Sequence, residues 1–343
     1  MRDELKYTEV RNYTTFTGAL YPRLELSYQI FGPGLDSSSP TVLVCHALTG
    51  NSKVTGEGGW WDGIIGPDKL IDTNYYTVIG INIPGNGYDQ KPENLQPRYF
   101  DFTIRDIATL FVNVLKQIGV HQLDFAIGGS LGGGVCWELA VLFPDFVKTI
   151  IPVAADWKAT DWIIAHNCVQ LQILENSKDP LHDARMMAMM FYRTPASLKS
   201  KFNRAWNKER NMYNIESWLY HHGEKLKDRF TIEAYRLMTN LLSTLDITKG
   251  RGSFEDVAKR IKARIVIVGI DSDFFFVPEE NHNTFYKLIE LGKDADYLEI
   301  ESIHGHDAFL IEFDQLTNLL FPIFDHKSEK RDETVTLDTI NGI

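Results

Sequence analysis

The feature that most constrains the fold is a short apolar run, Leu123–Ile127, followed at once by Gly128-Gly129-Ser130-Leu131-Gly132 and then by a helix-like stretch closed by Pro144. A G-x-S-x-G between a strand and a helix is a nucleophile elbow, in which the serine stands on a sharp turn. Glycines are needed there because a Cβ on either side would collide with the adjoining strand or helix. On its own the motif could be a glycine-rich turn with an incidental serine, and the strand before it and helix after it argue against that.

Apolar runs of strand length recur at Leu24–Ile30, Thr41–Cys45, Thr77–Ile83, Thr149–Val153, Ile265–Gly269 and Tyr297–Ile300. Several are unbroken Val/Ile/Leu stretches, as expected of strands covered on both faces. Helix-like segments such as Thr103–Ile118 and Gly132–Phe143 lie between them. This alternation predicts an α/β fold with a mainly parallel sheet flanked by helices, the α/β-hydrolase fold. It breaks between Trp157 and Leu245, where Met, Arg, Lys and aromatic residues dominate and no strand-like run occurs. The expected organisation is therefore a core of residues 1–156 and 246–325, a helical lid of residues 157–245 over the carboxyl edge of the sheet, and a loose polar tail of residues 326–343.

A serine hydroxyl needs a base to take its proton and a carboxylate to hold that base in one tautomer. Candidates for the acid are Asp273 and Asp271, just after the run ending at Gly269; candidates for the base are His306 and His304, just after Ile300. Asp273 is preferred because it leads towards Pro278, and His306 because Gly305 permits a tight loop. Stabilising the oxyanion takes two backbone N–H groups, one from Leu131 and one from the turn after Thr41–Cys45, assigned to Leu48.

Composition excludes other classes. Within 343 residues the net charge of −11 is spread without basic blocks, so no nucleic-acid partner is expected. No apolar run reaches the ~18 residues of a membrane span. The N-terminus lacks a signal-peptide pattern, and Cys45, Cys136 and Cys168 form no CxxC pair, which points to a cytoplasmic protein with reduced thiols. The ten histidines, His221-His222 and His304/His306 among them, lack the helical spacing of a zinc hydrolase, so no metal is expected. No local cluster of cations that could bind an anionic substrate is evident in the sequence.

The residues resemble the homoserine O-acetyltransferases of the α/β-hydrolase fold. The resemblance runs through Val44-Cys45-His46-Ala47-Leu48-Thr49-Gly50, Gly59-Trp60-Trp61-Asp62, Gly128-Gly129-Ser130-Leu131-Gly132-Gly133, Ala184-Arg185, Phe191-Tyr192-Arg193, Asp271-Ser272-Asp273 and Gly305-His306-Asp307-Ala308-Phe309-Leu310. It implies a ping-pong acyltransferase of methionine biosynthesis, with acetyl-CoA or succinyl-CoA as donor substrate, homoserine as acceptor, and no permanently bound cofactor. It also implies that Arg185 binds the substrate carboxylate, that Asp307 binds its amino group with Tyr192 close by, and that the protein is a homodimer through the lid. A serine acceptor, or a serine hydrolase of the same fold acting on a small ester or thioester, is the alternative. The chain departs from the family at Asn82-Ile83-Pro84-Gly85-Asn86-Gly87-Tyr88, at Ala154-Ala155-Asp156-Trp157, and in a shorter stretch before Pro180.

Overall fold

A computed structural model describes residues 4–35 and 38–325. The expected polar tail from His326 lies outside the described residues. Eight strands form one sheet: β1 (Lys6–Thr14), β2 (Leu20–Phe31), β3 (Thr41–Cys45), β4 (Thr77–Ile81), β5 (Leu123–Gly129), β6 (Val147–Val153), β7 (Arg264–Ile270) and β8 (Ala295–Ile300). Their spatial order is β1-β2-β4-β3-β5-β6-β7-β8. Strands β3 to β8 run parallel, whereas β2 is antiparallel to both β1 and β4.

The central strands are the continuous apolar runs, and both their faces are covered. Strand β1 is different: KYTEVRNYT is largely polar, and only Val10 and Tyr13 are buried. It escapes detection in the sequence because an edge strand with one wet face need not carry an apolar run. A helix cap fastens it. Asp106, in the first turn of α1 (Ile104–Gln117), accepts from the Thr103 N–H and hydroxyl through Oδ2 and from the Tyr13 hydroxyl and Phe16 N–H through Oδ1.

Helix α2 (Leu131–Leu142) is buried from Leu131 to Val141. Its one charge, Glu138, is fully buried between Arg105 at 3.2 Å and Arg251 at 2.5 Å. Two guanidinium groups are what such a carboxylate needs, since an unpaired charge at this depth would cost several kcal/mol.

Five helices follow β6: α3 (Asp161–Asn176), α4 (Pro180–Tyr192), α5 (Pro195–Phe202), α6 (Asn214–Lys227) and α7 (Ile232–Ser243). Thr160, Thr194 and Thr231 cap α3, α5 and α7, and proline opens α4 and α5. One departure from the expected all-helical character is a two-residue ladder pairing Trp206–Asn207 with Met212–Tyr213. The segment leaves and rejoins the sheet through a narrow neck, where Ala159 donates to Leu245 and Ile247 to Trp157. Helix α4 buries Leu181, Ala184, Ala188 and Tyr192, a spacing that lays one face on the molecule and points Arg185 beside it. The core closes with α8 (Phe254–Ala258), α9 (Pro278–Glu290) and α10 (Phe313–Phe324). Among the described residues no helix is long and apolar enough to cross a membrane.

Candidate active site

Ser130 lies between β5 and α2 with φ 55° and ψ −121°, a conformation that costs a non-glycine residue about 1–3 kcal/mol. Its surroundings enforce the strain. The Ser130 N–H donates to Val153 at 2.9 Å, tying the elbow to β6. A Cβ on Gly132 would lie 2.1 Å from the Cys45 carbonyl oxygen, and one on Gly128 would lie 2.4 Å from the Gly132 backbone. Strand, turn and helix approach so closely that only hydrogen fits at those two positions.

His306 stands in a 3-10 turn, Gly305–Leu310, just beyond β8. Gly305 takes φ 65°, which lets the chain reverse tightly there. The imidazole Nδ1 is 2.7 Å from Asp273 Oδ2, and Nε2 is 2.9 Å from Ser130 Oγ. Since the carboxylate can only accept, Nδ1 carries the proton and Nε2 is left to receive one from Ser130. Asp273 is 1% exposed, and its Oδ1 accepts from the Phe275 and Phe276 N–H groups at 2.6 and 3.0 Å. The His306 loop is held from below by the buried Trp61, whose Nε1 donates to the Phe309 carbonyl at 3.0 Å. Phe275, Phe276, Phe309 and Tyr192 pack around the imidazole.

The alternative pair points elsewhere. Asp271 is exposed and accepts from the Ser302 N–H, while His304 Nδ1 accepts from Arg193 at 3.0 Å and lies 2.9 Å from Ser197 Oγ.

Ser130 and His306 open onto a cavity of about 50 Å³ whose wall includes Leu48, Arg185, Tyr192 and Asp307. The residues singled out by motif and by resemblance are therefore gathered at one place. Among the described residues no acceptor takes the N–H of Leu48 or Leu131, so both remain available for an oxyanion. Arg185 lies over the Tyr192 ring, 5.7 Å from its centroid. Burial pushes the Tyr192 hydroxyl up to about 12, so it remains a donor at neutral pH. Burial also raises the Asp307 carboxyl, against the opposing charges of Arg185, His306 and Arg193.

Arg193 is a site residue with no role assigned from the sequence. It is buried, donates to Ser197 and His304, and stands 3.8 Å from Asp307, so it braces the loop that carries His306. Its only sequence signal is its place directly after Tyr192. His166 of α3 was also missed; it is buried beside Tyr192 and Phe275 and held down to about 4 by burial. Among the described residues no three His, Cys, Asp or Glu side chains gather as metal ligands.

A family model described as alpha/beta hydrolase fold matches residues 40–311. The chain is 35% identical over 328 residues to a homoserine O-acetyltransferase of Symbiobacterium thermophilum, a match covering 84% of this chain and 85% of the relative. Among solved structures it resembles a homoserine O-acetyltransferase from Bacillus anthracis, with a TM-score of 0.85 at 20% identity over 95% of this chain and 98% of that one. An acetylester hydrolase from Corynebacterium glutamicum superposes with a TM-score of 0.80 at 19% identity, over 94% and 96% of the two chains. At such identities the two solved structures speak to the fold alone.

Proposed function

Because the chain belongs to the homoserine O-acetyltransferases of the α/β-hydrolase fold, we propose that it moves an acetyl group from acetyl-coenzyme A to the homoserine hydroxyl through an acyl-Ser130 intermediate. The enzyme is an acyltransferase. The observation that carries the mechanism is the unbroken chain Asp273–His306–Ser130 at the wall of a cavity that also holds a cation, Arg185, and an anion, Asp307.

In the first half-reaction His306 Nε2 takes the Ser130 proton as Oγ attacks the thioester carbonyl. The resulting imidazolium is balanced by Asp273, and the oxyanion is received by the Leu48 and Leu131 N–H groups. The C–S bond then breaks, and the thiol leaves with the proton from His306. In the second half-reaction His306 deprotonates the homoserine hydroxyl, which attacks the acyl-serine and returns Ser130 as its leaving group. Arg185 receives the amino-acid carboxylate and Asp307 its amino group, with Tyr192 donating nearby. One fixed cation and one fixed anion orient a zwitterion in a way that water cannot exploit.

The helical segment 157–245 serves as a lid that limits water and so favours transfer over hydrolysis. Trp162, Ile164 and Val169 on α3 and Met190 on α4 are exposed apolar side chains, and they support a homodimer through that lid. The free thiols, with Cys168 exposed, fit a cytoplasmic enzyme of methionine biosynthesis.

The test follows free thiol release from acetyl-coenzyme A with homoserine, with serine and with neither, beside Ser130→Ala. Homoserine-dependent release that vanishes in the variant supports the transferase; equal release without any amino acid would mean that water is the acceptor.

A further inference from the structure

His46 lies directly before the turn that presents Leu48, and it is fully enclosed at the junction of β3, β4 and the loop after β4. Its ring is held at both nitrogens by backbone. Nδ1 is 2.8 Å from the Ala47 carbonyl oxygen, and Nε2 accepts from the Ile83 N–H at 3.1 Å. A carbonyl can only accept and an amide N–H can only donate, so the neutral tautomer with hydrogen on Nδ1 is the one that satisfies both. An imidazolium would turn a second N–H against that of Ile83. Burial in the same sense holds the group down to about 4.

The carbonyl that His46 holds belongs to the peptide unit whose N–H is that of Leu48. In a trans peptide the C=O and N–H point in opposite directions along one plane. Among the described residues no peptide bond is cis. Fixing the Ala47 oxygen from behind therefore fixes the direction in which the Leu48 N–H points, and a bond accepted at the oxygen polarises the N–H in front. Gly50 donates to the same oxygen at 2.9 Å, and a Cβ on Gly50 would come within 2.9 Å of the His46 Cβ. The turn thus lies close against the base of the His46 side chain.

Behind His46 the polar contacts continue. Asn86 Nδ2 lies 3.5 Å from His46 Nε2 and donates to Asn82 Oδ1 at 3.0 Å; Asn82 Nδ2 donates to the hydroxyls of Ser27 and Ser52 at 2.9 Å. The Ser52 N–H returns to Asn82 Oδ1 at 2.8 Å.

We propose that His46 is a positioning residue of the acyl-transfer site, which aims the Leu48 N–H at the oxyanion by anchoring the Ala47 carbonyl, and that the Asn82–Asn86 segment is its brace. The proposal rests on Ser130 as nucleophile and Leu48 as oxyanion donor. It predicts a loss in the rate of attack at Ser130 without a loss in ligand affinity. Removing an oxyanion donor outright costs about 10²- to 10³-fold. Removing its support should cost less, about 10- to 100-fold.

The test is the reaction of the full chain with a fluorophosphonate, in which Ser130 Oγ displaces fluoride from phosphorus and the phosphoryl oxygen occupies the oxyanion position. His46→Ala and His46→Gln should lower the limiting rate about 10- to 100-fold at an unchanged half-saturating label concentration. His46→Asn, whose amide nitrogen can take the place of Nδ1, should restore most of the rate. The Gln variant carries its amide at the depth of Nε2 and should not. His46→Asn no faster than His46→Gln, or a folded His46→Ala at the wild-type rate, would overturn the role of His46 alone. Label that persists in Ser130→Ala would overturn the nucleophile and this proposal with it. Should the alanine variant fail to fold, the Asn and Gln pair still decides.

Discussion

Replacing Asp273 by Asn tests the core of the mechanism with little change of shape. Asp273 Oδ1 accepts two backbone N–H groups, from Phe275 and Phe276, whereas among the described residues Oδ2 accepts from His306 Nδ1 alone. An asparagine must therefore place its oxygen where Oδ1 was, because an NH2 there would face two donors. Its NH2 then takes the Oδ2 position, 2.7 Å from Nδ1 in the parent structure. Nδ1 becomes an acceptor, the proton moves to Nε2, and Ser130 Oγ meets an N–H in place of a base. Restoring the productive tautomer means losing a charge-assisted hydrogen bond, about 1.5–3 kcal/mol, and facing two buried donors together, about 1–3 kcal/mol each. The sum of about 3.5–9 kcal/mol corresponds to a loss of at least about 10²- to 10³-fold in kcat. The assay is homoserine-dependent thiol release, with the melting temperature as a check on folding. Asp271→Asn is the control, because its described side-chain bond, from the Ser302 N–H, survives the change. A folded Asp273→Asn within tenfold of the parent rate, or a larger loss in Asp271→Asn, would refute the reasoning.

Three other outcomes follow from the same geometry. Arg185→Gln should raise the KM for homoserine about 10- to 100-fold, the worth of one hydrogen bond to a charged group, while the burst of thiol release from acetyl-coenzyme A alone is nearly preserved; steady-state and rapid-quench kinetics separate the two. Asp156 is buried, accepts from the Trp157 N–H and the Thr284 hydroxyl, and is raised by burial to about 7. The folded state then binds the proton more tightly than the unfolded one, so this group's contribution is full below about pH 4 and is lost as the pH rises through 7. Melting temperatures of Asp156→Asn should gain on those of the parent between about pH 4 and 7, and parallel curves would contradict this. His46 and His166, both lowered to about 4, act in the opposite direction. Their folded-state stability is present above about pH 6.5 and is lost as the pH falls towards 4, so circular dichroism should show thermal stability declining across that window.

The features legible along the chain are those that depend on near neighbours in it. Seven of the eight strands are visible as apolar runs, the central ones because they are buried on both faces; β1 is not, because one face of an edge strand stays in water. The elbow is legible at Ser130 because its glycines answer to steric limits within a few residues. The two candidate loops after β7 and β8 are legible because the fold sets them in that order. Other features depended on where distant segments meet. Asp273 and Asp271 have almost the same neighbours in sequence, and only the tertiary structure turns one of them to the imidazole and the other to Ser302. Arg185 and Arg193 look like ordinary lid residues until α4 brings them to Asp307, and this supplies the cationic cluster that no run of basic residues announces. His46 appears in the sequence as the end of a strand. Its meaning comes from Ile83 and Ala47 at opposite sides of one ring, because hydrogen-bond complementarity, unlike hydrophobic periodicity, leaves no regular pattern along the chain.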